Sequence, residues 1–233
     1  NDRRELSAIE AQMRRRITDR LMAHGVTIRD PSSAFVDYGV AVGQDSIIEP
    51  NTYLRGSTVV GPNCVIGPGS EISNSNIGEG SRVWFSVVED SDVGKKVQIG
   101  PYSHIRPNTT LLDDVLIGNF AEVKNSLVGR GTKIHHHSYT GDTDMGAGVN
   151  IGAGTVTVNY DGAKKHRTVI EDGAFIGCNT NLIAPVKVGK GAYVAAGSTI
   201  NLEVPPGSLA IARERQVNIE GWVERKKNKG GSN

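Results

Sequence analysis

Residues 42–67 read V-G-Q-D-S-I-I-E-P-N-T-Y-L-R-G-S-T-V-V-G-P-N-C-V-I-G, and an aliphatic residue returns at every sixth position, beginning with Val42, Ile48 and Leu54. Neither an α-helix nor a hairpin sheet produces an apolar period of six, whereas the hexapeptide repeat of a parallel β-helix does. Each short strand of that repeat directs one aliphatic side chain inward, and a tight turn follows it. The stretch therefore predicts an all-β solenoid in which three strands make one triangular coil of about 18 residues.

The same period extends along most of the chain after this stretch. After Ile66 and Ile72, one five-residue step gives Ile77, and the later members are Val83, Ile99, Ile105, Leu111, Ile117, Val123, Ile176, Leu182, Val188, Val194 and Ile200. The step fails between Val83 and Ile99, where residues 88–96 predict an imperfect or enlarged corner. It fails again before Ile176, where the polar run N-Y-D-G-A-K-K-H-R-T (159–168) contains an Asp-Gly turn signal. This run predicts a loop that leaves the solenoid, and loops on rigid scaffolds often have a function.

A helix is expected before the repeat and a tail after it. Apolar residues recur at steps of three and four near the start of the chain, with Asp2 as the expected N-cap and Gly25 as the expected stop. The members of this apolar stripe are Leu6, Ile9, Met13, Ile17 and Leu21. We therefore divide the chain into an N-terminal helix over residues 1–25, a β-helix over 26–217 and a C-terminal tail over 218–233.

The composition argues against several classes of partner. The 233 residues have a formal net charge of +1, which gives no reason to expect nucleic acid. No apolar run is long enough to span a bilayer, and no signal peptide is recognisable, so no membrane partner is expected. The two cysteines, Cys64 and Cys178, lie far apart without metal or redox spacing, which is typical of a cytoplasmic protein.

Three adjacent histidines stand in the stretch K-I-H-H-H-S-Y-T-G-D-T-D (133–144). Ile134 occupies the inward position, so His135, His136 and His137 follow through the strand end and the corner. Because successive side chains on a strand alternate in direction, the three rings are not expected to bind one metal ion together. One of them is suited to act as a base, since the ordinary histidine pKa of about 6.5 lies near neutral pH.

Two cations earlier in the chain point to a phosphate ligand. Arg106 and Lys124 are one full coil apart, so we expect them to stack on one outer face. Stacked cations repel unless an anion lies between them, and guanidinium and ammonium groups are the usual ligands of phosphate. The filled interior leaves only outer faces, the loop and subunit boundaries for a site. Long flat faces favour self-association, so we expect an oligomer with sites at subunit interfaces.

Five segments resemble one enzyme family specifically. They are G-N-F-A-E-V-K-N-S (118–126), H-S-Y-T-G-D (137–142), N-I-G-A-G-T-V-T-V-N-Y-D-G (150–162), K-V-G-K-G-A-Y-V-A-A-G-S-T-I (187–200) and S-L-A-I-A-R (208–213). Over nearly its whole length the chain is similar to the acetyltransferase half of the bacterial bifunctional N-acetylglucosamine-1-phosphate uridyltransferases/glucosamine-1-phosphate N-acetyltransferases. The resemblance implies a left-handed β-helix. It also implies that a uridyltransferase half would precede residue 1, with the N-terminal helix as the link.

The resemblance further implies a reaction and its partners. Acetyl-CoA and glucosamine 1-phosphate would give N-acetylglucosamine 1-phosphate and CoA, without a metal ion, in a cytoplasmic homotrimer. That product serves UDP-N-acetylglucosamine synthesis for peptidoglycan and lipopolysaccharide. By resemblance, His136 is the general base. The substrate contacts would be Arg106, Lys124, Tyr139, Asn150 and Lys165, and the acetyl-CoA contacts would be Ala153, Asn159, Tyr160, Cys178, Ala196 and Arg213.

The chain departs from the family pattern at two places. The family usually has serine where this chain has Cys178, which we expect to be an inert packing residue. It usually has small or aliphatic residues on both sides of the base, where this chain has His135 and His137. The register with Tyr139 and Lys124 favours His136 as the base, and we expect the flanking histidines to lie at the strand edge or the surface.

Three other functions remain open on the sequence. A zinc enzyme similar to the γ-class carbonic anhydrases would share the trimeric hexapeptide prism, but adjacent histidines lack the spaced ligands of such a site. A non-enzymatic hexapeptide scaffold would have no need of a base beside a cation pair. Acetylation of another amino-sugar phosphate, such as galactosamine 1-phosphate, is not excluded by these residues.

Overall fold

The structure, a computed structural model, describes residues 2–230, and of the side chains it describes those of residues 2–227. Its short strands, numbered β1–β30 in chain order, pair in parallel and form three sheets. Each full coil contributes one strand to each sheet, and this arrangement matches a left-handed parallel β-helix of hexapeptide repeats. The predicted fold class is confirmed.

The three sheets are the three faces of the prism. The first sheet contains β1 (Thr27–Ile28), β4 (Ile47–Ile48), β7 (Val65–Ile66), β10 (Arg82–Val83), β13 (Gln98–Ile99), β16 (Leu116–Asn119), β19 (Lys133–His136), β22 (Asn150–Ile151), β25 (Phe175–Ile176), β28 (Tyr193–Val194) and β30 (Leu209–Ala210). The second contains β2 (Ala34–Val36), β5 (Thr52–Arg55), β8 (Glu71–Ser73), β11 (Val87–Glu89), β14 (His104–Ile105), β17 (Glu122–Lys124), β20 (Tyr139–Gly141), β23 (Val156–Val158), β26 (Asn181–Ile183) and β29 (Thr199–Ile200). The third contains β3 (Ala41–Val42), β6 (Val59–Val60), β9 (Asn76–Ile77), β12 (Asp92–Val93), β15 (Thr110–Leu111), β18 (Leu127–Val128), β21 (Thr143–Met145), β24 (Thr168–Ile170) and β27 (Val186–Val188).

Aliphatic side chains from all three sheets fill the interior of the prism. The largest fully buried ones are Ile48, Leu54, Ile66, Ile72, Ile99, Ile105, Leu111, Ile117, Ile134, Ile151, Ile170 and Ile176. Full burial of one such side chain contributes about 1.5–3 kcal/mol. Because this stack leaves no room for a ligand, functional groups must lie on the outer faces or at the corners.

The enlarged corner predicted for residues 88–96 is wrong. Val88 and Val93 are inward-facing residues of β11 and β12, and they are 0% and 5% exposed. The chain takes two shortened steps of five residues here, from Val83 to Val88 and from Val88 to Val93, and then returns to six. A five-residue step still completes one strand and one turn, so the solenoid continues without interruption.

The loop predicted near residues 159–168 is confirmed. The loop lies between β23 and β24, and Thr143 at the start of β21 still pairs with Thr168 at the start of β24, so the loop lengthens one coil without breaking the ladder. Parallel pairing is regular on both sides of the insertion, with β21 before it and β27 after it. The loop therefore projects from a solenoid that remains continuous beneath it.

Helices lie at both ends of the described chain. Helix α1 (Arg3–Ala23) begins at the predicted N-cap Asp2, whose side chain also forms a capping box with Glu5. Only the end of its apolar stripe is buried, since Leu6 and Ile9 are 55% and 60% exposed. Helix α2 (Trp222–Gly230) lies within the predicted tail and was not predicted, and residues 231–233 of that tail lie outside the described residues. No helix within residues 2–230 is long and apolar enough to cross a membrane.

Candidate active site

Two basic side chains lie next to each other on the outer face of the second sheet. Arg106 directly follows β14, and Lys124 ends β17. The Arg106 amide donates to the carbonyl of Val123 at 2.8 Å, which sets Arg106 beside Lys124 in the next coil. The one-coil spacing of the two residues predicts this stacking.

Glu122 lies on the same outer face and was not predicted as a site residue. Its Oε1 accepts from Nη1 of Arg106 at 2.7 Å, and each side chain is 39% exposed. This hydrogen bond raises the pKa of Arg106 against a smaller opposing effect of burial. Arg106 is therefore already balanced by a carboxylate, which corrects the expectation that a bound anion must separate the stacked cations. Strand alternation was the available signal, because Glu122 and Lys124 flank the inward Val123.

The loop over residues 159–167 brings a second lysine to this face. Tyr160 and Lys165 form an antiparallel bridge across the loop, and the Tyr160 hydroxyl donates to the carbonyl of Gly162 at 2.6 Å. The Lys165 ammonium lies against that of Lys124, and this contact and the like charge of Lys124 lower the pKa of Lys165. A phosphate dianion between the two ammonium groups would replace their repulsion by attraction.

Asp161 gives this loop an internal scaffold. Its Oδ1 accepts from the amides of Ala163 and Lys164 at 2.8 and 2.7 Å, and its Oδ2 lies 2.7 Å from Nε2 of His166. These hydrogen bonds, led by the one from the Lys164 amide, hold the pKa of Asp161 well below its usual range. The loop therefore has a defined shape that presents Lys165 to the sheet.

A buried carboxylate lies beneath the loop. Asp142 is 5% exposed, and its two oxygens accept from the side-chain amides of Asn125 and Asn159. Burial by itself would raise the pKa of Asp142, but the two amides and the charges of Lys124 and Lys165 outweigh it, so the pKa is lowered. The same Nδ2 of Asn159 lies 3.4 Å from the Tyr139 hydroxyl, which joins β20 to the base of the loop.

Gly141 permits this close packing. A Cβ atom at this position would lie 2.7 Å from Nδ2 of Asn159 and 2.7 Å from the Tyr139 ring. Its amide donates to Oγ1 of Thr157 at 2.7 Å. Any larger residue at 141 would therefore displace Tyr139 or Asn159 from this arrangement.

The three adjacent histidines occupy different environments. His136 ends β19 with an exposed ring, and its Nδ1 lies 2.7 Å from Oδ1 of Asn119 in the preceding coil. His135 is half-buried, and its ring centroid lies 5.6 Å from that of His136. The pKa of His135 is lowered, mainly by burial and to a smaller extent by the charges of His136 and Lys133. His137 is exposed and has a left-handed backbone, with φ of +40°. Within the described chain, no group of three or more His, Cys, Asp or Glu side chains is arranged to hold a metal ion.

The corner that begins at His136 continues as a column of small residues. The Asn179 amide donates to the carbonyl of Ala153 at 2.7 Å, and the Gly197 amide donates to the carbonyl of Cys178 at 2.8 Å. These bonds align Ala153, Cys178 and Ala196 in successive coils beyond His136. The Cys178 side chain is exposed in this column. An extended ligand can therefore lie close to the backbone along this corner.

Arg213 and Asn150 flank the corner. The Arg213 side chain passes near Gly197, where a Cβ atom would lie 3.9 Å from Cδ of Arg213. Asn150 lies on β22 and pairs in register with Lys133 of β19. The predicted residues thus form two groups, one along this corner and one on the second sheet. Among residues 2–230, no hydrogen bond or ion pair joins His136 to Lys124 or Lys165.

One protein-family model matches three stretches of the repeat. The family model described as "Bacterial transferase hexapeptide (six repeats)" matches residues 39–74, 90–125 and 167–201. Among solved structures, a UDP-N-acetylglucosamine acyltransferase of Francisella novicida aligns with 88% of this chain and 74% of its own, at 20% identity and a TM-score of 0.43. That likeness is too distant to bear on function.

Curated relatives match almost the whole chain at much higher identity. The bifunctional protein GlmU of Geobacillus sp. (strain WCH70) is 55% identical over 97% of this chain and 49% of its own length. The GlmU of Caldanaerobacter subterraneus subsp. tengcongensis is 52% identical over 99% of this chain and 50% of its own length. The chain thus spans about half the length of the curated relatives it matches. It belongs to the bacterial hexapeptide-repeat transferases and corresponds to the C-terminal hexapeptide domain of the bifunctional GlmU proteins.

Proposed function

We propose that the chain transfers the acetyl group of acetyl-CoA to the amine of glucosamine 1-phosphate, a step of UDP-N-acetylglucosamine synthesis. The strongest support is the 55% identity to a GlmU protein over 97% of the chain. The geometry adds to it, because a histidine stands at the head of a small-residue column and two lysines adjoin on the neighbouring face. No such combination is needed by a non-enzymatic scaffold.

The phosphate of the sugar would bind to the basic face of the second sheet. Lys124 and Lys165 would contact it directly, and their mutual repulsion would be relieved on binding. Arg106 would add a further contact while Glu122 keeps its guanidinium in place. Tyr139 and Asn150 would contact the sugar from β20 and β22.

Acetyl-CoA would lie along the corner column. Ala153, Cys178 and Ala196 leave room for the pantetheine arm beside the backbone, and Arg213 would meet the phosphates of the nucleotide. Asn159 and Tyr160, at the base of the loop, would border the thioester. The thioester carbon would then lie near His136, at the start of the column.

The reaction would proceed by direct attack, without an acetylated enzyme. The sugar amine attacks the thioester carbonyl as Nε2 of His136 removes a proton from the nitrogen. The tetrahedral intermediate collapses, its carbon–sulfur bond breaks, and the sulfur leaves as CoA thiol with a proton returned from His136. Each turnover thus forms one amide bond and releases one thiol, and the histidine ends as it began.

We further propose that the active enzyme is a cytoplasmic homotrimer. In one chain the basic face lies on the second sheet, whereas the corner column begins at His136, which ends β19 of the first sheet. A neighbouring prism packed against this edge would bring the column of one subunit to the basic face of another and exclude water between them. Packing of identical flat faces around a three-fold axis is a closed arrangement that this shape permits.

A thiol assay of CoA release tests the reaction. Wild type is given acetyl-CoA with glucosamine 1-phosphate, galactosamine 1-phosphate or free glucosamine, and His136→Ala and His137→Ala are compared with it. We expect release only with the phosphorylated sugar, a loss of 100-fold or more in His136→Ala, on the order found for general bases, and near-normal turnover in His137→Ala. Absence of release with glucosamine 1-phosphate would refute the reaction. Equal loss in both variants would refute His136 as the base.

A further inference from the structure

Asn119 is the residue that contacts the ring of His136. It ends β16 as His136 ends β19, and the two are paired in register one coil apart. Oδ1 of Asn119 lies 2.7 Å from Nδ1 of His136. Neither the sequence pattern nor the resemblance assigns a role to Asn119.

The backbone around this pair is tightly fixed. A Cβ atom at Gly118 would overlap the backbone of His135, so β16 and β19 approach here as closely as glycine permits. On the other side, the His137 amide donates to the carbonyl of Asn119 at 3.0 Å. Backbone contacts on both sides thus hold the Asn119 side chain opposite the imidazole.

The amide oxygen selects one tautomer of the ring. Oδ1 of an asparagine can only accept a hydrogen bond, so Nδ1 of His136 must be the nitrogen that has the hydrogen. In a neutral ring Nε2 then has the lone pair and is free to accept a proton. When it does so, the imidazolium makes a stronger, charge-assisted bond to the same oxygen.

We propose that Asn119 is a positioning residue that holds His136 in the tautomer whose Nε2 acts as the base. The part of this inference that concerns turnover rests on the function proposed above, whereas the tautomer itself is a property of the free protein. Asn119 adds no charge to the ring. It would therefore set the direction and the tautomer of the ring without placing an anion beside it.

The charges near the ring are few, which makes the effect measurable. His135 and Lys133 lie on the same strand as His136, and the His135 ring centroid is 5.6 Å from that of His136. The preceding strand β16 ends in the uncharged Asn119, and the following strand β22 is formed by Asn150 and Ile151. A carboxylate introduced at residue 119 would be the nearest anion to the ring on these strands.

Nitrogen-15 NMR of the histidine side chains tests the proposal in the free protein. The His136 signals are assigned by comparison with His136→Gln, and the tautomer and pKa are then measured in wild type, Asn119→Leu and Asn119→Asp. We expect the Nδ1–H form in wild type and a mixture of tautomers in Asn119→Leu. In Asn119→Asp we expect the pKa of His136 to rise by about one unit or more, as beside any close carboxylate.

A matched control and the kinetics separate the possible outcomes. Asn63→Asp alters another exposed corner asparagine, with φ of +58°, several coils away, and should leave His136 unchanged. The acid limb of the kcat/KM profile should move upward with the His136 pKa in Asn119→Asp. An unchanged tautomer in Asn119→Leu together with an unchanged pKa in Asn119→Asp would overturn the proposal. A third outcome is that the NMR changes occur as expected but the wild-type protein shows no acetyl transfer. That outcome would support the role of Asn119 in selecting the tautomer and would refute the proposed function.

Discussion

Asp142 fixes the direction in which the Asn159 side chain faces. An ionised carboxylate can only accept hydrogen bonds, so Asn159 must offer its Nδ2 to Asp142, and the second hydrogen of Nδ2 faces the Tyr139 hydroxyl at 3.4 Å. The Oδ1 of Asn159 is thereby left to accept a hydrogen bond from a ligand. The Asp142 carboxylate thus makes Asn159 present a hydrogen-bond acceptor, rather than a donor, to any ligand that contacts it.

Asp142→Asn should destabilise the fold in a pH-dependent way. The pKa of Asp142 is lowered in the folded state, so its contribution is present above the ordinary pKa and is lost as the pH falls through the folded-state value. At pH 7 we expect a loss of about 1–3 kcal/mol in the free energy of unfolding, since two amides lose a charged partner. Urea unfolding at pH 7 and pH 3 measures this, with exposed Asp45→Asn as the control. A gap between wild type and Asp142→Asn that stays constant from pH 7 to pH 3 would contradict the prediction.

Arg106→Ala should weaken binding of the sugar phosphate more than it slows turnover. A hydrogen bond to a charged group contributes about 1.5–3 kcal/mol, so we expect KM for glucosamine 1-phosphate to rise roughly 10- to 100-fold. The Glu122→Gln variant keeps the guanidinium but loses the partner that holds it, and should have a smaller effect on KM. Initial rates over a range of substrate concentrations distinguish the two. Wild-type affinity in Arg106→Ala would remove Arg106 from the phosphate site.

Lys165 should make binding of the sugar phosphate sensitive to alkaline pH. Its pKa is lowered by Lys124, so in the free protein it loses its proton at a lower pH than an ordinary lysine does. Affinity should therefore fall earlier on the alkaline side in wild type than in Lys165→Arg, whose guanidinium stays charged. Calorimetric titration between pH 7 and pH 10 measures the difference, and Lys164→Arg serves as the control on the same loop. Parallel curves for wild type and Lys165→Arg would show that Lys165 does not contact the phosphate.

Cys178 should report on occupancy of the corner column. Its thiol is exposed, whereas Cys64 is buried and burial raises the pKa of the Cys64 thiol, so iodoacetamide should modify Cys178 alone. We expect acetyl-CoA, whose own thiol is blocked as a thioester, to slow this modification, because the pantetheine arm would cover the column. Peptide mass mapping identifies the labelled residue. The Cys178→Ser variant should retain activity if the Cys178 thiol takes no part in the chemistry. Labelling at the same rate with and without acetyl-CoA would place this substrate elsewhere.

The sequence predicted the repetitive part of the structure well. The six-residue period identified the inward residues from Ile48 to Ile72, because every coil buries an aliphatic side chain at the equivalent position. The interruption of that period before Ile176 identified the loop. It failed at Val88 and Val93, where five-residue steps preserve the interior while breaking the period. The apolar stripe of α1 predicted the helix but not the exposure of Leu6 and Ile9.

The partners of the site residues were harder to predict than the residues themselves. Glu122 lies 16 positions after Arg106, and Asn119 lies 17 positions before His136, so neither pair has the full-coil spacing of 18. Contacts between coils depend on the accumulated lengths of the intervening steps and on which side of a strand each residue faces. These lengths are known only once every turn has been located.

The pairing of Thr143 with Thr168 across the loop has a further consequence. The insertion enters at a single turn, and the ladders before and after it run on in register, so its exposed residues 160–165 can change in length without interrupting the ladders. If Lys165 contacts the sugar phosphate as proposed, exchange of this one segment would alter which acceptor is bound. A new specificity would then arise at one turn, while the rest of the β-helix stays unchanged.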